Sequence, residues 1–145
     1  MEIVKCSSKI EDKLAVFFQE MDGNSYFVPH EFTDKMAKEI CNYSGKDLYI
    51  CIVYDGAVVG YGMLRGWDEG YEVPSLGICL SSSVRGKGLG KMFMHYLHSL
   101  AKMSGAQKVR LKVFKNNKKA HSMYKSLGYE FEEFNEKELV GHIKV

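Results

Sequence analysis

The segment with the clearest potential for chemistry is a run of glycines and basic residues near the middle of the chain. It reads Ser-Val-Arg-Gly-Lys-Gly-Leu-Gly-Lys over residues 83–91, between a strand pattern and a helix pattern. The first turn of a helix has N–H groups without partners, and these groups and the helix dipole attract anions. Glycines let a phosphate approach the backbone because they lack a Cβ atom. The run predicts a phosphate-binding loop; the alternative is a glycine-rich turn on a basic surface.

The spacing of this run separates it from two common nucleotide motifs. A Walker A loop needs a Lys followed by Ser or Thr, whereas Lys91 is followed by Met92. The dinucleotide motif needs GxGxxG, whereas the glycines here stand at alternate positions 86, 88 and 90. The pattern that fits is Arg/Gln-x-x-Gly-x-Gly/Ala, formed by Arg85, Gly88 and Gly90.

A second pattern follows downstream, with Asn117, Ala120, Tyr124 and then Gly128-Tyr129. With both patterns in this order, the chain resembles the GCN5-related N-acetyltransferase (GNAT) superfamily. The motifs cover residues 76–129, and the order of the predicted elements extends the resemblance over nearly the whole chain. The resemblance implies an N-acetyltransferase that uses acetyl-CoA as co-substrate.

The resemblance also implies which residues meet acetyl-CoA. In that family the loop grips the pyrophosphate through backbone N–H groups, and a β-bulge at the end of the preceding strand directs backbone groups at the pantetheine arm and the acetyl carbonyl. Asn117 would meet the pantetheine, and Lys115, Lys118 or Lys119 would approach the adenosine-side phosphate. The implied contact residues are Ile78, Cys79, Leu80, Arg85, Gly86, Lys87, Gly88, Leu89, Gly90, Lys91, Asn117, Ala120 and Tyr124.

Tyr124 is the predicted general acid. When an amine attacks a thioester a thiolate leaves, and a tyrosine hydroxyl near the sulfur can protonate it. The alternative is an aromatic side chain packed on the apolar face of a short helix. The spacing of Asn117, Ala120 and Tyr124 favours the catalytic role.

The amine must lose a proton, so a general base is also expected. Some relatives carry a glutamate on the strand before the loop, and Glu72 is the carboxylate nearest that place. The alternatives are a solvated charge at Glu72 and a base elsewhere, such as His30.

The acceptor site is expected opposite acetyl-CoA, where the resemblance implies a wall formed by the first two helices and the strand connections. Aromatic rings near carboxylates suit a cationic amine or an amino sugar. The run over residues 60–71 is similar to GNAT proteins of amino-sugar or surface-polysaccharide synthesis, and protein N-termini remain alternative acceptors. The predicted substrate-binding residues are His30, Trp67 and Tyr71, with Tyr26, Phe27, Asp68 and Glu69 close by.

Charge is distributed unevenly along the chain. Residues 85–129 contain 11 Lys and Arg and no Asp or Glu, whereas the remainder contains 9 and 18. Such a stretch fits a solvated surface, a nucleic-acid site or a site for a polyanionic small ligand. Few aromatic residues alternate with the charges as a nucleic-acid stacking platform needs. The motif inside this stretch favours a polyanionic small ligand, either as a substrate of turnover or as bound CoA in a regulatory module.

The spacing of apolar residues predicts the helices and strands that would position these site residues. Runs of β-forming residues over Leu48–Tyr54 and Ala57–Leu64 flank Asp-Gly and predict a hairpin. Apolar residues at helical spacing predict a long helix over Gly88–Met103. The other predictions are strands at Glu2–Ser8, Glu72–Leu80, Lys108–Phe114, Tyr129–Asn135 and Leu139–Val145, and helices at Lys9–Glu20, Thr33–Tyr43 and Asn117–Leu127.

This order predicts an α+β fold. It consists of a mixed, mostly antiparallel sheet of about seven strands, with helices on both faces. The crossover through the long helix should make Glu72–Leu80 and Lys108–Phe114 parallel, and the resemblance implies that the two splay into a slot. With 145 residues and no visible linker, a single domain over 1–145 is expected.

Composition indicates which broad class of protein this chain belongs to. The chain is 46% hydrophobic but has only short apolar runs, which predicts a globular protein without a membrane span. Absence of a signal-peptide pattern predicts a cytoplasmic location. The cysteines at 6, 41, 51 and 79 are widely spaced, so buried apolar roles are expected rather than a metal site. The last strands are a candidate homodimer interface.

Overall fold

A computed structural model of the chain describes residues 1–23, 26–27 and 29–145. Seven strands form one sheet in the order β1-β2-β3-β4-β5-β7-β6. The strands are β1 Glu2–Lys5, β2 Leu48–Tyr54, β3 Ala57–Arg65, β4 Ser75–Leu80, β5 Lys108–Phe114, β6 Glu130–Glu133 and β7 Glu138–Lys144. The α-helices are α1 Glu11–Met21, α2 Asp34–Cys41, α3 Leu89–Met103 and α4 Lys118–Leu127.

The sheet is antiparallel except where β4 meets β5. Those two strands run parallel and share one register position, Ser75 opposite Arg110. The Arg110 N–H donates to the carbonyl of Pro74 at 3.0 Å, and past this point no pair joins the two strands. The predicted fold class and the predicted parallel pair are therefore both confirmed.

Helices cover the two faces of the sheet through separate cores. One core joins α3 and α4 to the sheet and is centred on Phe93, Leu97 and Val109. The other joins α1 and α2 to β1–β4 and is centred on Leu14, Phe18 and Tyr61. Alternation along β4 sends Leu76 to the first core and Cys79 to the second, so this strand presents side chains to both layers.

Local sequence features account for the predicted hairpin turn and for two helix caps. The β2–β3 hairpin turns at Asp55 and Gly56, which both have positive φ, as a two-residue hairpin turn requires. Thr33 caps α2 because its hydroxyl accepts from the Met36 N–H at 3.0 Å. Gly128 ends α4 in the left-handed region at φ 107°.

Two predicted strand boundaries are wrong. The fourth strand begins at Ser75 rather than Glu72, because turns occupy residues 67–70 and Pro74 has no N–H for a ladder. The first strand ends at Lys5, and a short 3₁₀ turn over Ser8–Ile10 leads into α1.

The bulge expected near Ile78–Leu80 is absent from the β3–β4 ladder. That ladder runs unshifted from Gly60 opposite Leu80 to Arg65 opposite Ser75. The register shift in this sheet lies between Ile52 and Val53, where β2 pairs with β3. The opening beside β4 therefore comes from its divergence from β5.

The four cysteines are buried and free, which confirms their predicted apolar role. Within the described residues, no group of three or more His, Cys, Asp or Glu has the arrangement of a metal site. In the same residues, every helix is too short or too polar to cross a membrane.

Candidate active site

The glycine-rich loop joins β4 to α3 at the end of β4 where β5 has moved away. Gly86 and Gly88 have positive φ of 74° and 83°, and a Cβ atom at either would point into open space. The first helical backbone bond runs from the Met92 N–H to the Gly88 carbonyl. The N–H groups of residues 86–88 make no backbone bond within the described chain. These amides and the free N–H groups of the first turn of α3 can hold a diphosphate.

Basic side chains brace this loop as well as charging it. The Arg85 Nε donates to the Leu80 carbonyl at 3.1 Å, and the Lys87 Nζ donates to the Ser83 carbonyl at 3.1 Å. Ser81, at the start of the loop, is buried and donates its hydroxyl hydrogen to Glu20 of α1 at 2.6 Å. The loop is thereby fixed to β4 and to α1 while Gly86 and Gly88 remain exposed.

The slot between β4 and β5 leaves backbone groups free for an extended ligand. Past the Ser75–Arg110 pair, residues 76–80 have no partner on the β5 side among the described residues. Unpaired strand groups at such an edge accept an added strand-like chain. The pantetheine arm of CoA is an extended chain with two amides, so the residues present fit that group.

Asn117 and Ala120 begin the helix beyond the slot. The Asn117 Oδ1 accepts from the Ala120 N–H at 3.4 Å, which caps α4. Its Nδ2 has no partner in the described part of the chain, so the amide can still donate to a ligand. Lys115 forms an ion pair with Glu133, whereas Lys118 and Lys119 stand exposed at the first turn of α4.

Tyr124 lies on the buried face of α4 and belongs to the core under α3. Its hydroxyl has no hydrogen-bond partner among the described residues, and its ring lies 5.9 Å from that of Tyr129. Burial, with a smaller contribution from Cys79, raises the pKa of Tyr124 to about 12. The hydroxyl therefore remains protonated at neutral pH and can donate a proton or a hydrogen bond.

His30 lies on the other side of β4 with Tyr61. The His30 Nε2 is 2.9 Å from the Tyr61 hydroxyl, and its Nδ1 is 2.8 Å from the Glu31 carbonyl. A carbonyl can only accept, so Nδ1 carries the hydrogen and Nε2 is the acceptor. Burial lowers the pKa of His30, so the ring is neutral near pH 7. Rings of Phe18, Phe27 and Phe32 surround the pair at centroid distances of 5.2–6.1 Å.

Comparisons with known proteins agree with this geometry. The sequence profile described as "Acetyltransferase (GNAT) family" matches residues 15–129. The chain belongs to the GNAT acetyltransferase family. It is thus an acyltransferase of a family that uses acetyl-CoA. Comparison with curated protein sequences gave no match.

Solved structures share the whole GNAT fold at low identity. A GNAT acetyltransferase from Streptococcus pneumoniae has a TM-score of 0.81 and 16% identity, and the match covers 99% of both chains. A phosphinothricin acetyltransferase from Sinorhizobium meliloti, in complex with AcCoA, has a TM-score of 0.80 and 17% identity over 99% of this chain and 88% of that one. The ribosomal-protein-S18-alanine N-acetyltransferase of Escherichia coli has a TM-score of 0.76 and 14% identity, and the match covers 99% of this chain and 93% of that one.

Apart from His30, the predicted site residues of this GNAT chain fall into two groups. Those expected at acetyl-CoA lie together around the loop, the slot and the start of α4. The predicted base Glu72 and the predicted acceptor residues Trp67 and Tyr71 lie at the opposite end of β4. There they line a cavity of about 640 Å³ with the end of α3 and the start of β5. His30 is separate from them and packs in the core under α1.

Asp47 explains where the loop of Trp67 lies. This buried carboxylate accepts from the N–H groups of Gly66 and Trp67 at 3.0 and 2.9 Å, which ties the β3–β4 connection to the start of β2. A second cavity, of about 350 Å³, is lined by Tyr54 and Val59 together with Gly88. Because it includes no residue of β5 or α4, it lies on the other side of α3 from the slot.

Sequence reasoning missed Tyr61 as a member of the site. A signal was available, because alternation along β3 places Tyr61 on the same face as Met63 and opposite to Gly60 and Gly62. Tyr61 also pairs with Cys79 on β4, one of the predicted acetyl-CoA residues. The contact between Tyr61 and His30 joins residues 31 positions apart, so no local pattern could predict it.

Proposed function

We propose that the chain moves the acetyl group of acetyl-CoA to the primary amine of a small molecule, by direct attack of the amine on the thioester. The observation that carries this is the placement of two proton-transfer groups on opposite sides of β4. Tyr124 belongs to the core under α3 and α4, whereas His30 packs under α1 with Tyr61. A regulatory module that only held CoA would need neither group.

The reaction balances with one proton accepted and one donated. A bond forms between the amine nitrogen and the acetyl carbon, and the bond between that carbon and the CoA sulfur breaks. The amine loses a proton to a base, and the departing thiolate gains one. Tyr124 supports the second step because its raised pKa keeps the hydroxyl protonated, so it can donate a hydrogen bond to the negative charge that develops on the sulfur.

His30 is the better candidate for the base than Glu72. Its lowered pKa keeps Nε2 unprotonated near neutral pH, and the Glu31 carbonyl fixes the ring in the tautomer that can accept there. An amine approaching His30 would take the place of the Tyr61 hydroxyl at Nε2. Glu72 is exposed, lies outside β4 and is at the far end of that strand from the loop.

The loop amides would hold the pyrophosphate, the free edge of β4 would hold the pantetheine, and Asn117 would donate to it. Arg85, Lys87 and Lys91 would add positive charge around the phosphates. On this arrangement the acceptor enters from the side of α1 and α2. Amino sugars are among the small amines that the sequence suggests.

Two measurements test the proposal. Calorimetric titration with acetyl-CoA should show binding, and release of free thiol should follow when an amine panel of amino sugars, amino acids, polyamines and peptides is added. Acetyl-CoA binding without thiol release in the presence of any of these amines would favour the regulatory module. Thiol release with peptides alone would instead indicate a protein acetyltransferase. Failure to bind acetyl-CoA would exclude both the enzyme and the regulatory module.

A further inference from the structure

Arg110 carries a polar atom that the fold leaves without a partner. Its Nε is buried and makes no hydrogen bond to any described residue. Neighbours Val109 and Leu111 on β5 point into the core under α3, so alternation puts Arg110 on the opposite face, the one that α1 and α2 partly cover. A buried donor without an acceptor has a desolvation cost that no hydrogen bond offsets. An arriving acceptor atom would remove that cost.

The strand registers place Arg110 in a row of polar residues across this face. Reading across the sheet, the row is Arg65, Ser75, Arg110, His142 and Glu130. Neighbouring strands lie about 4.8 Å apart, so the two arginines flank Ser75 from backbones about 10 Å apart. The ion pairs of the described residues include neither arginine, although Glu130 stands two strands from Arg110 in the same row.

Arg65 is held in place by neutral groups. Its Nη2 donates to the Pro29 carbonyl at 3.1 Å, which links it to the segment that carries His30. It also lies near the Tyr49 hydroxyl, whose pKa burial raises and Arg65 lowers. Arg65 and Arg110 stand in one row on either side of Ser75, and no ion pair of the described residues involves them. Such a row can bind an anion, and a carboxylate fits the guanidinium fork best.

We infer that the acceptor of this enzyme is an amine that also carries a carboxylate, and that Arg110, with Arg65 and Ser75, binds that carboxylate. This rests on the proposed function and specifies its substrate class. The row lies four residues along β3 from Tyr61, about 13 Å at strand spacing, and the arginine side chains span part of that distance. The amine would therefore reach His30 while the carboxylate stays at the arginines.

The test compares each acid with its own amide. Thiol release is measured for α-amino acids and for ω-amino acids of increasing length, each beside the corresponding carboxamide, with glucosamine as an amino sugar that has no carboxylate. Removing the carboxylate lowers the pKa of the amine and raises its unprotonated fraction, so amine chemistry alone favours the amide. A higher kcat/KM for the acid supports the inference. A preference for amides or for glucosamine overturns it.

Substitution then assigns the preference to Arg110. Loss of a charge-assisted hydrogen bond predicts that Arg110→Met lowers kcat/KM for the acids by about 10- to 100-fold and leaves the amides unchanged. Lys112→Met is the matched control, because Lys112 lies on the same face of β5 but its Nζ is over the Phe134 ring at 4.1 Å. If Arg110→Met has the same ratio of kcat/KM for acids and amides as the wild type, the inference is wrong. Unchanged acetyl-CoA affinity shows that the variant is folded.

A binding measurement separates this inference from the proposed function. The protein with saturating CoA is titrated with N-acetyl amino acids and with their amides, which needs no turnover. Binding of the acids that Arg110→Met weakens supports the carboxylate site even if no amine in the panel is acetylated. Failure of every acid to bind, with CoA binding intact, overturns the carboxylate site alone, whereas failure to bind CoA removes the proposed function.

Discussion

The Nε2 of His30 lies 2.9 Å from the Tyr61 hydroxyl, across a gap of 31 residues in the chain. This contact joins the segment after α1 to the third strand, and Tyr61 is in turn the register partner of Cys79 on β4. Because the Glu31 carbonyl occupies Nδ1, the ring presents an unprotonated nitrogen toward the sheet. The position and the tautomer of His30 are therefore set by the fold before any acceptor arrives.

Replacing His30 should change the pH dependence of turnover. Burial lowers the pKa of His30 below its ordinary 6.5, so the wild type should lose kcat/KM through a step below pH 6.5, as the ring becomes protonated. His30→Gln should be at least about 100-fold slower and should lack that step, which a pH–rate profile with one amine measures. Glu72→Gln is the control and should keep it. The opposite result for the two variants would make Glu72 the base.

Tyr124→Phe should reduce turnover without weakening the binding of acetyl-CoA. Removal of a proton donor from the thiolate predicts a fall in kcat of about 100-fold or more. Tyr129→Phe is a matched control, since its ring neighbours Tyr124 but its hydroxyl is bound to His98 at 2.7 Å. Thiol-release kinetics and calorimetry on both variants give the two readouts. An unchanged kcat for Tyr124→Phe would leave it a packing residue.

Gly88→Glu should abolish measurable acetyl-CoA binding. A carboxylate about 5 Å from a phosphate costs about 3 kcal/mol at an effective dielectric constant near 20, and Gly88 has φ 83°, where a side chain adds strain. Gly105→Glu is the control for strain, because Gly105 has φ 94°, faces open space and lies just beyond the other end of α3. Equal affinities of the two variants by calorimetry would place the pyrophosphate elsewhere.

Local chemistry explains which features the sequence could predict. The Asp55-Gly56 turn and the strand over Lys108–Phe114 each depend on residues within a few positions of one another, and each appears in the structure as expected. The loop was predictable for the same reason, because its glycines and basic residues are contiguous.

Contacts on the proposed acceptor side could not be predicted from such local patterns. The His30–Tyr61 contact depends on how the chain after α1 folds back, and the isolation of Arg110 depends on where β4 leaves β5. Glu72 was misplaced for a related reason, since a short turn ending in Pro74 removes it from the strand. Residues close in the fold but distant in sequence need the sheet register to be known.

Gly62→Ala should destabilise the fold. A Cβ atom at this position of β3 would lie 2.8 Å from Cδ1 of Leu97 and 2.8 Å from Cζ of Phe93, both fully buried in α3. Overpacking of this kind predicts a loss of about 1–3 kcal/mol in the free energy of unfolding. Gly90→Ala is the control, since its contacts would be 3.5 Å. Denaturant titration compares the two, and equal midpoints would mean that α3 moves aside at no cost.

His98 should make the protein less stable in acid. Burial, with a smaller contribution from His95, lowers the pKa of His98 from 6.5 to about 4. The unfolded state therefore binds this proton first. The stabilisation that His98 contributes as a neutral ring is fully present above about pH 6.5 and is lost as the pH falls toward 4. Because the ring is only partly buried, we expect a loss of about 1–2 kcal/mol.

Measurement of unfolding free energies between pH 7 and pH 4 checks this. The His98→Gln variant should lose less stability over that interval than the wild type, by about 1–2 kcal/mol, because glutamine does not titrate. It should also be less stable at pH 7, where it loses the bond to the Tyr129 hydroxyl. His95→Gln is the control on the exposed side of the same helix and should retain most of the slope. Parallel curves for His98→Gln and the wild type would show that other groups cause the acid sensitivity.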